Sequence, residues 1–391
     1  MAMSATPGAP VRLLAAAAFF SAAALRVCDS LLPRFALEFQ RSAGEAGRLI
    51  VAFAVAYGLM QLLSGPLADR FGKQRLMTFA LAGCGFTSAA AALAGSFDML
   101  LAWRALWGMA AAGIVPLAMA WIGDAVAYEA RQATLARLLL GTLSGMVIGQ
   151  LLGGLFAETA PGWRGAFAVL SVGYWVVGSL LWRDAARTKT MLPPAANRGG
   201  IAFVIAQPWA RVVLVAVFVE GVFLLGSLSY LPTYLHAREG LGLAAASGVA
   251  ALYAVGGLGY AICARRVVGM LGEIRMAAAG GLLMATALVG LWLLPHWSAA
   301  APLSVLLGFG TYLYHNTLQT HATQMAPEAR GSAVSLFSFS LFAGQSLGVV
   351  IFGGTVDLSA YAALFLLPAA ALAIVGVAFA EMLRRRVSVA R

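Results

Sequence analysis

Long apolar stretches separated by short polar segments recur along the whole chain. Several of them approach the ~20 residues that an α-helix needs to cross the hydrocarbon core of a bilayer. They are rich in Ala, Leu and Gly and do not alternate between apolar and polar positions, so they predict membrane-spanning helices rather than the strands of a barrel. We place twelve helices near residues 11–34, 46–67, 76–95, 98–122, 134–157, 165–183, 209–235, 244–264, 276–295, 300–323, 332–356 and 361–383.

The composition agrees with an all-α polytopic membrane protein. Hydrophobic residues make up 61% of the chain and charged residues 10%, whereas a soluble domain has roughly 25% charged residues. Arg12 and the apolar run 13–25 imitate a signal peptide, but eleven further apolar segments follow, so we interpret the run as an uncleaved first span. Cys28, Cys84 and Cys263 are odd in number and lie in apolar segments, which argues against a disulfide framework or a metal site.

The longest polar interruption lies at residues 184–208, which carry Pro, Gly, Lys and Arg. We interpret it as a cytoplasmic linker between an N-terminal six-helix bundle, residues 1–183, and a C-terminal six-helix bundle, residues 209–391. Paired landmarks indicate that the two halves are repeats, because each landmark recurs 199 positions later. The pairs are Leu32-Pro33 with Leu231-Pro232, Glu129-Ala130-Arg131 with Glu328-Ala329-Arg330, Gly145 with Gly344, and Gly149 with Gly348.

The basic residues are distributed unevenly between the predicted loops. Of the 26 Lys and Arg residues, 19 fall on one side of the membrane and 5 on the other, while Arg26 and Arg104 lie within predicted helices. Cytoplasmic loops of membrane proteins carry an excess of Lys and Arg, so the asymmetry predicts that both termini are cytoplasmic. It also accounts for the net charge of +11 without a nucleic-acid partner.

The segment between the second and third predicted helices reads Gly-Pro-Leu-Ala-Asp-Arg-Phe-Gly-Lys-Gln-Arg. Taken alone, it is a basic turn between two membrane helices. The whole string closely resembles the G-x-L-A-D-R-x-G-[RK]-x-[RK] loop of the major facilitator superfamily of transporters. That resemblance implies a charge network that latches the two halves on the cytoplasmic side in the outward-open state. The residues expected in this latch are Gly65, Asp69, Arg70 and Gly72, with Asp124 and Arg131 as candidate partners.

Two further segments are similar to motifs of the same superfamily. Arg104 to Gly108 in the fourth helix matches an R-x-x-x-G motif whose buried arginine is implicated in proton coupling; an arginine that snorkels from the helix end is the alternative. The fifth helix resembles the antiporter motif G-x-x-x-G-P-x-x-G-G, except that Gln150 stands in place of the proline. Glycines four apart also permit ordinary close packing of helices. The glycines of this stripe are Gly141, Gly145, Gly149, Gly153 and Gly154.

Polar and ionisable residues interrupt several predicted helices. Arg26 and Asp29 are three residues apart in the first helix and can pair on one face. Ionisable groups inside a membrane usually face a cavity and a partner, so we expect Asp29 to carry a coupling proton, with Arg26 and Arg104 as its counter-charges. Glu220 is the alternative proton site. Two tyrosines, Tyr230 and Tyr312, are candidates to contact substrate, and the alternative is that they mark the membrane interface. The residues expected to line a substrate cavity are His315, Asn316, Gln319, Tyr230 and Tyr312.

The resemblance implies a twelve-helix secondary transporter that needs no cofactor and works by alternating access. It is most similar to the drug and metabolite:proton antiporters, and we expect a monomer in the inner membrane that exports a small molecule. A proton-coupled uptake permease remains the alternative because the proline of the antiporter motif is missing. A transporter-derived sensor or scaffold is a third hypothesis, against which Asp29 and Arg104 argue. The sequence contains no phosphate-binding loop, acyl-transfer triad or metal cluster, so an enzyme is not expected.

Overall fold

The apolar stretches form helices throughout the computed structural model, which describes residues 8–185, 200–294 and 296–389. Within these ranges the helices make up twelve spans, which we number α1 to α12. In the first half they are α1 (Gly8–Arg26 and Leu32–Phe39), α2 (Ala43–Ala46 and Arg48–Phe71), α3 (Lys73–Ala92), α4 (Phe97–Ala111 and Ile114–Ala125), α5 (Tyr128–Ala157) and α6 (Gly162–Ala185).

The second half begins with a short helix, Ile201–Ala206, inside the segment predicted as a linker. Residues 186–199 of that segment lie outside the described ranges. Helices α8 and α9 share one helical stretch, Leu243–Leu293, which is broken at Gly272. The remaining spans are α7 (Pro208–Glu220, Gly221–Leu225, Gly226–Leu228 and Leu231–Glu239), α10 (Trp297–Gln324), α11 (Arg330–Asp357) and α12 (Tyr361–Val389).

The expectation of an all-α membrane protein is confirmed. Eight helical stretches of the described residues are long and apolar enough to cross a membrane, and one of them contains both α8 and α9. Within the first half, α1 packs on α5, α2 on α4, and α3 on α6. Across the halves, α2 packs on α11 and α5 on α8. Two seams therefore join the halves. Because the number of spans is even, the first and last described residues lie on the same side of the bundle.

Equivalent helices break at equivalent places. Helix α1 is interrupted between Arg26 and Leu32, and α7 passes through a π-helical turn before its last segment begins at Leu231. Each new segment starts with a Leu-Pro pair. Proline has no backbone donor, so it is tolerated best in the first turn, where that donor would be unpaired. Gly72 and Gly272 both have positive φ, +84° and +65°, and end α2 and α8 in the same way.

The glycine stripe of α5 packs directly on the backbone of α1. All of its glycines except Gly154 lie so close to a backbone carbonyl of α1, or of the break in α1, that an added Cβ would collide with it. Helix α11 repeats this arrangement on α7, at positions 199 residues further along the chain. The contacts are Gly141 on Ala15, Gly145 on Phe19, Gly149 on Ala23 and Gly153 on Val27, and in the second half Gly344 on Phe218 and Gly348 on Val222.

Candidate functional site

A cavity of about 130 Å³ lies between the two halves, near the middle of the bundle. It is smaller than the roughly 300 Å³ at the low end of known ligand pockets, so a drug-sized molecule would require the halves to move apart. Both polar and apolar side chains face it. Its lining consists of Leu25, Arg26 and Met146 from the first half and Glu220, Leu225, Tyr253, Thr311, Tyr312, His315, Leu341, Phe342 and Gln345 from the second.

Glu220 and His315 form a hydrogen-bonded pair on the second-half wall of this cavity. The Nδ1 atom of His315 lies 2.9 Å and 3.2 Å from the two carboxylate oxygens of Glu220. Glu220 is the last residue of α7 before its π-helical turn, and only 1% of it is exposed. A carboxylate removed from water is stable only when it is neutral or paired. This pair can therefore hold or release a proton where a bound molecule would contact it.

Arg26 and Asp29 form the ion pair that their spacing predicts, although not on a continuous helix. Arg26 is the last residue of the first α1 segment, and Asp29 lies in the break that follows. Their Nη1 and Oδ2 atoms are 2.8 Å apart. Arg26 also reaches the cavity, where its guanidinium lies 6.0 Å from the ring of Tyr253 in the other half. Asp29 is fully buried outside the cavity lining, and its Oδ1 atom has no hydrogen-bond partner among the described residues.

Arg104 is fully buried and does not snorkel to a membrane surface. It donates hydrogen bonds to the carbonyl of Ala24, at 3.3 and 3.4 Å, and to that of Leu49, at 3.4 Å. Ala24 is in the last turn of the first α1 segment, where backbone carbonyls lack an intrahelical partner. The guanidinium also lies 4.3 Å from the ring centroid of Phe53. Arg104 thus caps the broken end of α1, one turn from the Arg26–Asp29 pair, and does not contact the cavity.

Of the five residues predicted to line a substrate cavity, Tyr312 and His315 do so. Asn316 donates instead to the hydroxyl of Tyr260, at 2.9 Å, within the second half. Gln319 is exposed. Tyr230 is buried away from the cavity and donates to the carbonyl of Val349 at 2.9 Å.

Gln345 is a cavity residue that sequence analysis did not select. It is 1% exposed, and its Oε1 atom has no hydrogen-bond partner among the described residues. The available signal was a single amide side chain among the apolar residues and serines of α11. Gln150, which replaces the motif proline, is similarly buried in α5 with an unpaired Nε2 atom within the described chain.

The motif loop between α2 and α3 is a tight turn at Gly72, as expected for a glycine with positive φ. Lys73 and Asp124 form an ion pair that ties the start of α3 to the end of α4. Arg131 donates from Nε to the carbonyl of Val126 at 2.8 Å, and the Arg70 side chain is exposed. The backbone of Gly65 and Asp69 is helical, and the surroundings of these two residues lie outside what the structure describes.

Comparisons with known proteins match this architecture. Residues 14–349 match the Major Facilitator Superfamily. The uncharacterized MFS-type transporter YceJ of Bacillus subtilis (strain 168) is 24% identical over 327 residues, which cover 83% of each chain. Multidrug resistance protein 1 of the same organism is 22% identical over 335 residues, covering 83% of this chain and 84% of its own. The crystal structure of a D-xylose-proton symporter has a TM-score of 0.77 at 14% identity, over 96% of this chain and 97% of the other, which shows a shared fold.

Proposed function

Because the chain belongs to the major facilitator superfamily and is a membrane transporter rather than an enzyme, we propose that it exports a small molecule in exchange for protons. The observation that carries this proposal is the meeting of ionisable side chains from both halves at one cavity. Arg26 comes from the first half, and Glu220 and His315 come from the second. Relative motion of the halves would change the surroundings of all three groups. The likeness to Multidrug resistance protein 1 supports export rather than uptake.

Asp29 is our proposed carrier of the coupling proton. In this conformation Arg26 pairs with it and lines the cavity, whereas Asp29 does not. A carboxylate binds a proton more readily when it is desolvated and less readily beside a cation, so separating Arg26 from Asp29 would change its proton affinity. Arg26 itself borders the cavity, which gives a bound molecule a route to disturb the pair. Substrate and proton could then exclude each other without direct contact.

Glu220 with His315 is the second candidate for the coupling site. The observation that favours it is direct access: both residues line the cavity, whereas Asp29 does not. A substrate with a positive charge or a hydrogen-bond donor would compete with the proton for Glu220. The unpaired Oε1 atom of Gln345 is a further acceptor on the same wall. Together with the apolar lining, these acceptors favour a small amphiphilic substrate that carries a donor group.

The orientation in the membrane and the oligomeric state complete the proposal. We propose that the two six-helix bundles, residues 1–183 and 209–391, move as units in an inner membrane, with both termini in the cytoplasm. The excess of Lys and Arg in the loops on that side supports this orientation. A monomer suffices for the mechanism, because the cavity is complete within one chain.

The transport assay must distinguish export from uptake. Compounds that raise the melting temperature of the purified protein would be identified first, and their flux would then be followed in vesicles of known orientation. Accumulation in inside-out vesicles with an acidic lumen supports the exporter. Accumulation in right-side-out vesicles under an acidic exterior supports the uptake permease. If stabilising compounds show no flux in either orientation, the sensor hypothesis replaces both.

The cytoplasmic latch that the motif loop implies can be tested by Asp69→Asn. Loss of the charge is expected to favour the conformation that is open to the cytoplasm. A reporter at Leu341→Cys, in the cavity lining, would then react faster with an impermeant maleimide added from that side. A change of about five-fold corresponds to the ~1 kcal/mol at the upper end for surface ion pairs. Asp98→Asn is the matched control, because Asp98 lies at the start of α4 on the opposite face.

In these labelling experiments Cys263→Ser removes the partly exposed native thiol, while Cys28 and Cys84 are buried. The latch role is rejected if Asp69→Asn and Asp98→Asn give the same labelling ratio and full transport activity.

A further inference from the structure

Carboxylates also bridge the two halves on the far face, which we define as the face opposite the first and last described residues. Asp357, at the end of α11, accepts a hydrogen bond from the Ser42 hydroxyl at 2.6 Å. It accepts a second from the backbone N–H of Gly44 at 2.8 Å. Both donors lie at the start of α2 in the other half. One side chain therefore ties the two halves together at one of the two seams.

Glu158 makes the corresponding bridge at the other seam. It directly follows α5 and accepts a hydrogen bond from the backbone N–H of Ala244, at the start of α8, at 3.3 Å. Glu158 and Asp357 are 199 residues apart, which is the interval between the repeated landmarks. Each carboxylate reaches from the end of one helix to the beginning of a helix in the opposite half. The two bridges are therefore copies of one arrangement, and the bond of Asp357 is the shorter.

A glycine four residues before each carboxylate brings the two helices close enough for the bridge. Gly353 of α11 lies against the backbone of Gly44, and Gly154 of α5 lies against Leu243 and Ser247 of α8. An added Cβ at either glycine would meet the partner helix, so neither position has room for a side chain. Gly154 and Gly353 are again 199 residues apart. The far face is thus closed by two seams of the same construction.

We propose that Asp357 and Glu158 are paired latches that hold the far face closed and release it when the transporter opens to that side. Both side chains are exposed, so water can solvate them as soon as the halves part. Exposed charged contacts stabilise a structure only weakly, which is enough to bias an equilibrium without locking it. Other charges at this site stay within the first half: Glu45 accepts from the Ser42 N–H at 3.0 Å and pairs with Arg41 at 3.6 Å.

The test is a distance measurement between the halves that needs neither substrate nor a proton gradient. Spin labels at Ala160→Cys and Ala360→Cys, both exposed and in opposite halves of the far face, would report its opening in lipid nanodiscs. Cys263→Ser removes the partly exposed native thiol. Asp357→Asn is expected to raise the population with the longer separation about five-fold, the upper end for an exposed charged contact. Glu158→Gln should give a smaller increase, and the double variant the product of the two.

Glu239→Gln is the matched control, because it removes a charge from the same face at the last residue of α7. Ser42→Ala removes one donor of the bridge without changing the charge, so it carries the test if Asp357→Asn does not fold. It should shift the distances in the same direction by less. Unchanged distances in both variants, or an equal shift in Glu239→Gln, would overturn the latch. Because no flux is measured, this outcome is independent of whether the proposed export is correct.

Discussion

Asp29→Asn is expected to abolish transport driven by a pH gradient while preserving substrate binding. Asparagine has nearly the shape of a protonated aspartic acid, but it can neither release nor take up a proton. The side chain is fully buried and is not itself part of the cavity lining, so a bound molecule would not lose a direct contact. Two losses are expected. Proton release on substrate addition would be measured in detergent, and gradient-driven flux would be measured in liposomes.

The stability of this variant needs its own control, because Asp29 is the ion-pair partner of a buried arginine. Removing one member of a buried ion pair costs about 3–5 kcal/mol when the other is left uncompensated. Arg26→Gln combined with Asp29→Asn removes both charges and should recover the melting temperature. The flux should stay absent in the double variant if Asp29 is the proton carrier. Recovery of flux would mean that the single variant was merely misfolded.

Glu220→Gln separates the two candidate coupling sites. If Asp29 carries the proton, Glu220→Gln should weaken substrate binding through the cavity wall and leave proton release intact. If Asp29→Asn retains proton release and flux, the role passes to Glu220 or His315, which line the cavity together. The same pair of assays therefore assigns the site in either case.

The sequence contains most of the information that fixes the twelve spans, because the bilayer imposes their length and their apolar character. The predicted helices 11–34 and 209–235 nevertheless run through the breaks in α1 and α7, because a proline such as Pro368 can also lie inside a continuous helix. The hydrogen-bond partners of Arg104 could not be predicted from the sequence. Its charge suggested a counter-charge for Asp29, and the structure adds hydrogen bonds from Arg104 to the carbonyl of Ala24, which the break in α1 leaves without a helical partner. Which cation reaches which carbonyl depends on packing that residue spacing does not encode.

The far-face bridges also depend on packing that residue spacing does not encode. Glu158 and Asp357 look like ordinary polar residues at helix ends, because their partners in the other half are two backbone N–H groups and one serine hydroxyl, none of which carries a charge. The constant interval of 199 residues nevertheless relates the two acids to each other. An acidic residue at the same place in both repeats was therefore the signal in the sequence, and only the structure identifies the groups that these acids bind.

The glycine stripe of α5 resembles an antiporter motif and is also a close-packed seam, and its copy in α11 allows the packing role to be measured. Gly344→Val is expected to prevent stable folding, because its side chain would meet the carbonyl of Phe218 and the backbone nitrogen of Val222 at 3.1 Å. Backbone atoms of a packed helix cannot move aside as a flexible side chain can, so the cost should reach or exceed the upper end of the ~1–3 kcal/mol typical of overpacking.

Gly354→Val provides the matched control on the same helix, because no atom lies within 4 Å of an added Cβ there. It should elute as a monodisperse peak and melt close to the unmodified protein, since surface substitutions usually change stability by less than about 0.5 kcal/mol. Gly145→Val should fail in the same way as Gly344→Val if the α1–α5 and α7–α11 seams are equivalent. If Gly145→Val instead folds, binds substrate and loses only proton-driven flux, the stripe acts in coupling beyond its packing. A Gly344→Val protein that melts like Gly354→Val would show that close approach of α7 and α11 is dispensable.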